Sequence, residues 1–560
     1  MNTHFALYVG LLLFLFIPHA QSFASTNSSD PQVCQTPPLP EWTENEQGVW
    51  NRICAGDKAC LDPSQCESRL CSAKRLALDT ISETHSIRAS FLMTLMLEEP
   101  WKSAVPRQGV RLFGARIEGT LDLENATIEH ELKIENSFFI NPPSFRRMRT
   151  ASILSLKRNS IPGKVTLESI IIDGSLLLCH IESTRTHNGT EASLLLDRGK
   201  IGGSIQLGRA TAREVLALGT DIGGAVFLTG AQFSHRLALK RTHIRESLST
   251  SRENPSPTFI AQLSLTGAEI DGYVDLNDTI IQKSLDASHI RVGGAVNLGG
   301  ADIVGDLDFK GARIDGELAL LTGEKHITRS PGVWNFENSR AWTLRTNLEL
   351  WWPKSLNLGG FEYQKILNNQ ASPSKPHKAS TYIEWLAQDK STHQGPYKHI
   401  SGILRNMGYN TSADNILYAW REKERRAVLD RKAYAEYAWN TALMTTIGYG
   451  YGHKLFRAAA WAALFVFIGV LVLARRNARI EPTRVQPIEV EEEGRSPTGV
   501  EALGVWYCID LLLPAIRLRK KHYDMELDDW TRRYFYIHQL LGYVLGFFLL
   551  AGLAGLTGTT

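Results

Sequence analysis

The stretch ADIVGDLDFKGARIDGELAL, residues 301–320, decides the fold of this 560-residue chain. Small or apolar residues occupy every second position from Ala301 to Phe309, and the same set returns eleven residues later, from Ala312 to Leu320. Alternation with a period of two is typical of a β-strand, because successive side chains point to opposite faces. Residues 301–320 therefore predict short strands that repeat along the chain.

Further copies of this unit occur before residue 301, and they start near Ile117, Ile201, Ile222, Ala268 and Val292. An odd period would turn the apolar side chains to the opposite face, so a corner must absorb the extra residue. Gly311 suits one bend, and Gly305 and Gly316 suit a second one. We therefore predict a mainly β chain: a parallel β-helix of 11-residue half-coil units over residues 109–323, with about ten coils, capped by helical segments.

The charge balance and the motifs argue against several functional classes. The 61 basic and 58 acidic side chains leave a net charge of +3, which does not suggest nucleic-acid binding. The sequence has no Walker A motif, dinucleotide fingerprint, G-x-S-x-G or H-E-x-x-H. Four carboxylates project outward on adjacent units, in an arrangement that paired catalytic carboxylates or calcium ligands also have: Asp306, Asp308, Asp315 and Glu317. Other units have Thr, Arg, Gln or Asn at the equivalent positions, so we predict that this is a solvated face. We predict no catalytic residue, no bound cofactor and no metal site.

Residues 1–24 resemble a secretory signal peptide. The apolar run Phe5–Ile17 has the length of a signal core, and small-residue cleavage sites follow at Ala20 and Ala24. The segment before this run has His4 but no Lys or Arg, so an uncleaved anchor stays an alternative. Both interpretations place the following chain outside the cytoplasm.

Residues 25–108 are predicted to form a cysteine-rich and helical cap. Five cysteines cluster here, which in an exported chain predicts disulfides: Cys34, Cys54, Cys60, Cys66 and Cys71. Five is odd and the pairing stays open, while zinc is disfavoured because no CxxC occurs. The spacing of apolar residues predicts a helix over Ala73–Glu99 that closes the solenoid. Cys179 and Cys508 lie in apolar runs and are predicted to be buried.

Residues 324–435 combine a Trp-rich segment with predicted helices. The segment Trp334–Tyr363 is irregular, and three helical runs follow: Thr381–Ala387, Pro396–Met407 and Ala413–Lys432. The second and third runs resemble a helical hairpin. We expect the charged run Arg421–Arg426 to be a solvated helix face with local ion pairs.

Residues 436–560 are predicted to be a membrane domain. Ala458–Ala474 and Phe535–Thr557 are long enough to span a bilayer, and Leu503–Ile516 is predicted to be re-entrant or interfacial. Basic clusters flank Leu503–Ile516, and if both are cytoplasmic, the β-helix is exported to the periplasmic or extracellular side. Asp510 is a functional candidate, since a charge inside an apolar run is costly, and its alternative is a helix cap or surface ion pair.

Two further motifs leave alternatives open. Gly542-x-x-x-Gly546 favours close helix packing, within the chain or in a homo-oligomer. The residues Thr445, Thr446, Ile447, Gly448, Tyr449 and Gly450 resemble a potassium-channel filter, in which backbone carbonyls replace the water shell of a cation. The channel family usually has Asp where Tyr451 stands, so we favour a sharp bend with aromatic anchors at the membrane surface: Tyr449, Tyr451, Phe456 and Trp461.

Taken together, the chain resembles a bacterial family of repeat-containing membrane proteins often labelled membrane-associated oxidoreductase. The similarity rests on an ordered set of segments: Ile87–Leu92, Gly109–Ile117, Gly360–Tyr363, Pro396-Tyr397, Gly448–Tyr451 with Arg457-Ala458, and Ile509–Pro514. The resemblance implies a pentapeptide-repeat-like β-helix with C-terminal membrane helices, and its label implies redox chemistry. This chain differs in its signal-like start and cysteine cluster.

These features predict a membrane-anchored, exported β-helical scaffold or binding protein of the cell envelope that is not catalytic. Its expected partners are the membrane and an envelope protein or cell-wall polymer, and not a nucleic acid. The alternatives are a membrane-associated oxidoreductase, as the family label implies, and an ion-channel-like pore built on Thr445–Gly450.

Overall fold

The computed structural model describes residues 35–66, 81–184, 192–250, 257–322, 325–326, 332–348, 353, 355–368, 378–389, 393–474, 480–481, 504–513, 526–527 and 529–553. Within this part of the chain, a long parallel β-solenoid of about ten turns is followed by helices. The predicted β-helix class is thereby confirmed.

Two parallel sheets form the walls of the solenoid, and we name them sheet A and sheet B. Sheet A contains Ala59–Cys60, Val110–Phe113, Thr127–Ile128, Leu132–Glu135, Arg149–Thr150, Leu154–Ser155, Ile171–Ile172, Leu176–Leu177, Lys200–Ile201, Ile205–Gln206, Asp221–Ile222, Val226–Phe227, His243–Ile244, Leu248–Ser249, Glu269–Ile270, Val274–Asp275, Arg291–Val292, Val296–Asn297, Arg313–Ala319, Arg340–Thr346 and Glu362–Asn368. Sheet B contains Ser86–Arg88, Arg116–Glu118, Phe138–Phe139, Ser160–Pro162, Lys164–Thr166, Glu182–Thr184, Ser193–Leu195, Thr211–Leu216, Gln232–Ala238, Phe259–Ser264, Ile280–Asp286, Asp302–Ile303, Asp306–Asp308, Val333–Asn335 and Ser355–Asn357. Two short antiparallel pairs lie apart from these walls: Leu321–Thr322 with Lys325–His326, and Ile480–Glu481 with Glu526–Leu527.

Ten helices are described, and they lie before, beside and after the solenoid. They are α1 (Glu44–Cys54), α2 (Ala89–Leu97), α3 (Trp101–Ala104), α4 (Ala379–Ala387), α5 (Gly395–Asn406), α6 (Asn410–Asp430), α7 (Tyr434–Ile447), α8 (Phe456–Leu473), α9 (Val505–Leu512) and α10 (Asp529–Leu553). The three helices predicted between residues 381 and 432 are confirmed as α4, α5 and α6.

The register of the paired strands gives the length of one turn. Leu112 pairs with Ile134, which lies 22 residues further along the chain, and the turn from Ile172 to Ile201 takes 29 residues. Inward-facing side chains are almost all aliphatic, and they stack into one continuous core. Burial of this core is the main source of stability, because one turn cannot cover its own apolar edge.

The corners of the solenoid use backbone with positive φ. The predicted bend at Gly311 is confirmed by its φ of +66°. Asn338 takes the equivalent corner one turn later with a φ of +54°. Glycine adopts a positive φ freely, and asparagine is one of the other residues that adopt it most often.

Gly305 is required for a different reason, which is the close approach of the preceding turn. A Cβ atom added to Gly305 would lie 1.3 Å from the carbonyl oxygen of Lys283, and one added to Gly316 would lie 2.6 Å from that of Gly294. Neither glycine has a positive φ. These glycines therefore allow adjacent turns to stack at the distance that the backbone hydrogen bonds set.

The solenoid extends past both boundaries that the repeat predicts, residues 109 and 323. Before it, Ala59–Cys60 pairs with Leu112–Phe113, and Ser86–Arg88 pairs with Arg116–Glu118. After it, the strands that start at Arg340 and Glu362 continue sheet A. Aromatic residues replace the aliphatic ones at these inward positions, which hides the repeat. Phe309, Phe336 and Phe361 stack at centroid distances of 5.9 and 5.2 Å.

Within the described residues, the predicted helix Ala73–Glu99 is confirmed over Ala89–Leu97 and wrong before it. Residues Glu83–His85 form one 3-10 turn, and Ser86–Arg88 form a strand. The buried Glu46 of α1 explains the difference, because it accepts hydrogen bonds from the Arg88 backbone N–H at 2.9 Å and from the Arg88 guanidinium at 2.6 Å. This pair holds the segment in extended form beside Arg116–Glu118, and residues 67–80 lie outside the described part.

We expect the Gly305→Ala variant to lose about 3 kcal/mol of stability, the upper end for overpacking, because its methyl group would displace the preceding turn. The matched control is Gly402→Ala in α5, where an added Cβ meets no atom within 4 Å. This control should gain about 0.5–1 kcal/mol from better helix propensity. Urea unfolding of both full-length variants in detergent, followed by circular dichroism, measures the two effects. Equal midpoints for Gly305→Ala and the wild type would contradict this account of turn stacking.

Candidate functional site

A cluster of charged and tyrosine side chains lies where the helical cap meets the apolar helix α8. Asp414, Tyr418 and Glu422 follow one another at intervals of four residues along α6, so they share one face of that helix. The segment 448–454 folds back over this face. We call these side chains, together with Arg425, Tyr449 and Lys454, the junction cluster.

The backbone between α7 and α8 makes a left-handed turn. Gly448, Tyr449 and Gly450 have φ values of +59°, +59° and +79°. Positive φ in a tyrosine is uncommon and costs about 1 kcal/mol or more, and such strain concentrates at functional sites. A Cβ on Gly448 would lie 2.6 Å from the Lys454 Cβ, and one on Gly452 would lie 2.4 Å from Asp414 Oδ2. Both glycines are therefore needed to close the turn onto α6.

The same geometry does not support the ion-channel alternative. Thr445, Thr446 and Ile447 are the last turn of α7, and the Thr446 hydroxyl donates a hydrogen bond to the Ala442 carbonyl at 2.6 Å. A filter needs extended backbone whose carbonyls line a pore. Here residues 445–447 are helical and Gly448–Gly450 is the left-handed turn.

Glu422 is the centre of the junction cluster. Its carboxylate accepts hydrogen bonds from the Tyr449 hydroxyl at 3.1 Å and from the Arg425 guanidinium at 2.9 Å. Arg425 also donates to the Tyr437 hydroxyl of α7 at 2.8 Å. Burial, with the neighbouring Glu422, raises the pKa of Tyr449 above its usual range, so its hydroxyl stays protonated and donates. The cluster thus connects α6, α7 and the turn through charge-assisted bonds.

Lys454 lies on the other side of the cluster, with its Nζ 3.2 Å from the centre of the Tyr418 ring. Burial lowers the pKa of Lys454 to about 8, and the nearby Arg457 adds to this effect. Arg457 donates to the Met444 carbonyl at 2.7 Å. These contacts fix the start of α8 against α6 and the end of α7.

Two sequence-based expectations for this region need correction. The predicted local ion pairs of Arg421–Arg426 are confirmed, with Arg421 to Glu424 and Arg425 to Glu422 both at 2.9 Å, but residues 421–425 are half-buried and Arg426 alone of this run is exposed. Of the predicted surface anchors, Tyr449 and Tyr451 are buried, whereas Phe456 is 63% exposed. The left-handed turn explains both results, because it places the tyrosines on α6. The spacing of Asp414, Tyr418 and Glu422 was the signal that could have revealed the site.

Helices α8, α9 and α10 form a small bundle beside the junction cluster. They meet at Gly469, where an added Cβ would lie 2.8 Å from Cys508 Sγ and 3.5 Å from His538 Cε1. A Cβ on Gly542 would lie 2.0 Å from the Leu512 carbonyl oxygen, so Gly542 serves a contact within the chain. Asp510 is fully buried in α9 and takes part in a polar or electrostatic interaction.

One described helix, Phe456–Leu473, is long and apolar enough to cross a membrane, with a mean hydropathy of 2.2. This helix, α8, covers nearly all of the predicted membrane span Ala458–Ala474. The predicted Phe535–Thr557 overlaps α10, which begins earlier at Asp529, and Leu503–Ile516 contains the short α9.

The cysteine cluster contains a disulfide between Cys60 and Cys66. Cys54 is also disulfide-bonded, whereas Cys34 and Cys71 lie outside the described residues. Cys179 is buried as predicted, but it is a disulfide cysteine, while Cys508 is a buried free thiol.

The described part of the chain contains no group of three or more His, Cys, Asp or Glu side chains that could hold a metal ion.

Comparison of the chain with family models, with curated proteins and with solved structures finds no match.

The lowered pKa of Lys454 predicts a specific pH dependence of stability. Between pH 8 and 10.5 the unfolded chain keeps a proton on this amine that the folded chain has released. The contribution of Lys454 to stability therefore rises with pH across that window and is constant below it. Thermal unfolding of the wild type and of Lys454→Met from pH 7 to 10 should show a difference that grows with pH. The control Lys164→Met replaces an exposed lysine on sheet B. A Lys454→Met curve parallel to the wild type would contradict the prediction.

Proposed function

We propose that this chain is a membrane-anchored β-solenoid scaffold of the cell envelope, with the solenoid on the exported side and binding as its role. The observation that carries the proposal is the outward surface of the C-terminal helices. Phe467 of α8 is 60% exposed and Phe547 of α10 is 67% exposed, and their outward neighbours are also apolar. Lipid tails would cover such a surface.

The inward faces of the same helices support this interpretation. Ala458 at the start of α8 packs in one cluster with Leu545 and Phe548 near the end of α10, while Val472 packs with Phe535. The two helices are therefore antiparallel neighbours. An antiparallel pair with apolar residues on both its packed and its outward faces suits two crossings of a bilayer.

The solenoid supports the binding role. Its core is continuous from Trp50 in α1 to Trp420 in α6, so the rod and its caps form one packed body. A rigid array of this kind presents equivalent outward positions at a fixed spacing of about 4.8 Å. We propose that the 11-residue half-coil unit is the module that was duplicated, and that partners bind along the array by multivalent contact.

The exported side is supported by the disulfide chemistry. Cys60 and Cys66 are joined in the cap that precedes the solenoid, and disulfides persist in oxidising compartments. The resemblance to the repeat-containing membrane family agrees with the anchor, but its redox label is not adopted. A visible absorption band from a bound flavin or haem in the purified protein would contradict the non-catalytic role.

Membrane anchoring is tested with charges on the outward helix faces. The double variant Phe467→Arg with Phe547→Arg should reduce the membrane-bound fraction after carbonate extraction, because each arginine costs about 3 kcal/mol near the bilayer centre. The matched control is Val304→Arg with Val333→Arg, which changes two exposed apolar residues on the solenoid. We expect the control to stay in the membrane like the wild type. Release of the wild type by carbonate would overturn the proposal.

The side of the membrane is tested by labelling. A Val304→Cys variant carries a new thiol on the exposed surface of the solenoid. A membrane-impermeant maleimide should label it in intact cells as fully as in lysed cells, and the wild type measures the background. Labelling that requires lysis would place the solenoid in the cytoplasm and contradict the exported orientation.

A further inference from the structure

Two large aromatic side chains stand on the outer surface of sheet A without a structural reason. Tyr273 is 47% exposed and Trp342 is 62% exposed. Exposed aromatic side chains on a polar surface contribute little to stability, and they commonly mark binding sites. Trp342 also coincides with a shift in register between the strands Arg313–Ala319 and Arg340–Thr346.

Glycines separate the two aromatics. On four successive turns the bend in sheet A holds Gly272, Gly294, Gly316 and Trp342, and Tyr273 directly follows Gly272. We call Tyr273, Gly294, Gly316 and Trp342 the aromatic strip. A Cβ on Gly294 would lie 2.7 Å from the Gly272 carbonyl oxygen, so the close approach of the two turns excludes a side chain beside Tyr273. Tyr273 and Trp342 lie three turns apart along the solenoid, which corresponds to a distance of about 14 Å.

A row of arginines runs beside the aromatic strip. Arg291, Arg313 and Arg340 occupy equivalent positions on consecutive turns. Trp342 follows Arg340 by two residues in the same strand, so both side chains point to the same face. The row and the strip therefore form one surface.

The middle arginine carries the uncompensated charge of this surface. Arg291 pairs with Glu269 at 3.0 Å and Arg340 pairs with Glu362 at 2.9 Å. Within the described residues, no carboxylate pairs with Arg313. The surface thus combines one free guanidinium with two flat stacking positions.

We propose that the aromatic strip and the arginine row bind an acidic glycan. Sugar rings can stack their C–H faces on Tyr273 and Trp342, while a uronic carboxylate pairs with Arg313. The surface also contains Asp271 and Asp315, which would repel the closely spaced phosphates of a nucleic acid. Sugar hydroxyls can donate hydrogen bonds to these carboxylates, so a glycan fits the mixed charge better.

This inference goes beyond the scaffold proposal by naming a partner chemistry and a surface. Its test uses full-length protein in detergent, so it gives a result whether or not the chain is anchored as proposed. The probe is a hyaluronate oligosaccharide, compared with the same oligosaccharide after its carboxylates have been reduced to alcohols. Isothermal titration calorimetry measures both affinities, and a single-stranded DNA oligonucleotide tests the competing polyanion.

We expect hyaluronate to bind and its carboxyl-reduced form to bind at least about fivefold more weakly. Trp342→Ala should weaken binding by about tenfold, while Trp342→Phe keeps a stacking surface and most of the affinity. Arg313→Gln should weaken binding to the acidic form several-fold. The control Arg149→Gln changes an exposed arginine on sheet A several turns away, and it should bind like the wild type.

All the substituted side chains are exposed, so unfolding midpoints should match the wild type. Four results would each overturn the proposal: no binding of hyaluronate at millimolar concentration, equal affinity for the reduced form, unchanged binding by Trp342→Ala, or tighter binding of the DNA.

Discussion

The structure depends on one constraint, which is that each turn of the solenoid stacks on the previous turn at the distance set by parallel backbone hydrogen bonds. This distance is about 4.8 Å, and it leaves no room for side chains that point from one turn to the next. At bend positions the constraint selects glycine. A Cβ on Gly203, Gly224 or Gly294 would lie within 3.0 Å of an atom of the preceding turn. Inside the coil, the same constraint selects aliphatic side chains that stack in columns.

The sequence predicted the solenoid because its signal is local. Alternation within a strand and the return of the same residues after eleven positions are visible within residues 301–320. The ends were missed because aromatic residues such as Trp334 and Phe361 take the inward positions, so the aliphatic pattern disappears while the hydrogen bonding continues. The strand at Ser86–Arg88 was missed for a different reason. Its conformation depends on Glu46, which is 42 residues away from Arg88.

The junction cluster was hard to predict because its members come together only after the chain reverses. Glu422 and Tyr449 are 27 residues apart, and their contact requires the left-handed turn at Gly448–Gly450. The pattern of Thr445–Gly450 suggests a role for backbone carbonyls. In the structure, Gly448 and Gly452 instead leave out side chains that would collide with Lys454 and Asp414, respectively. The spacing of Asp414, Tyr418 and Glu422 predicts that they share one face of α6, but it does not predict that the segment 448–454 covers this face.

The junction cluster also resolves a physical conflict between α6 and α8. The highly charged helix α6 packs near the start of α8, the one described helix that is apolar enough to cross a membrane, and a low dielectric medium penalises unpaired charges. Glu422 and Arg425 compensate one another, and the Tyr418 ring faces the Lys454 amine. The Lys454 contact with Tyr418 and the Tyr449 hydrogen bond to Glu422 join α6 to the segment that leads into α8. If α8 lies in a bilayer, these contacts fix the angle between the membrane and the rod, because α6 belongs to the same core as the last turns. A rod held at a fixed angle presents its outward rows at constant heights above the membrane, which is the geometry that multivalent binding needs.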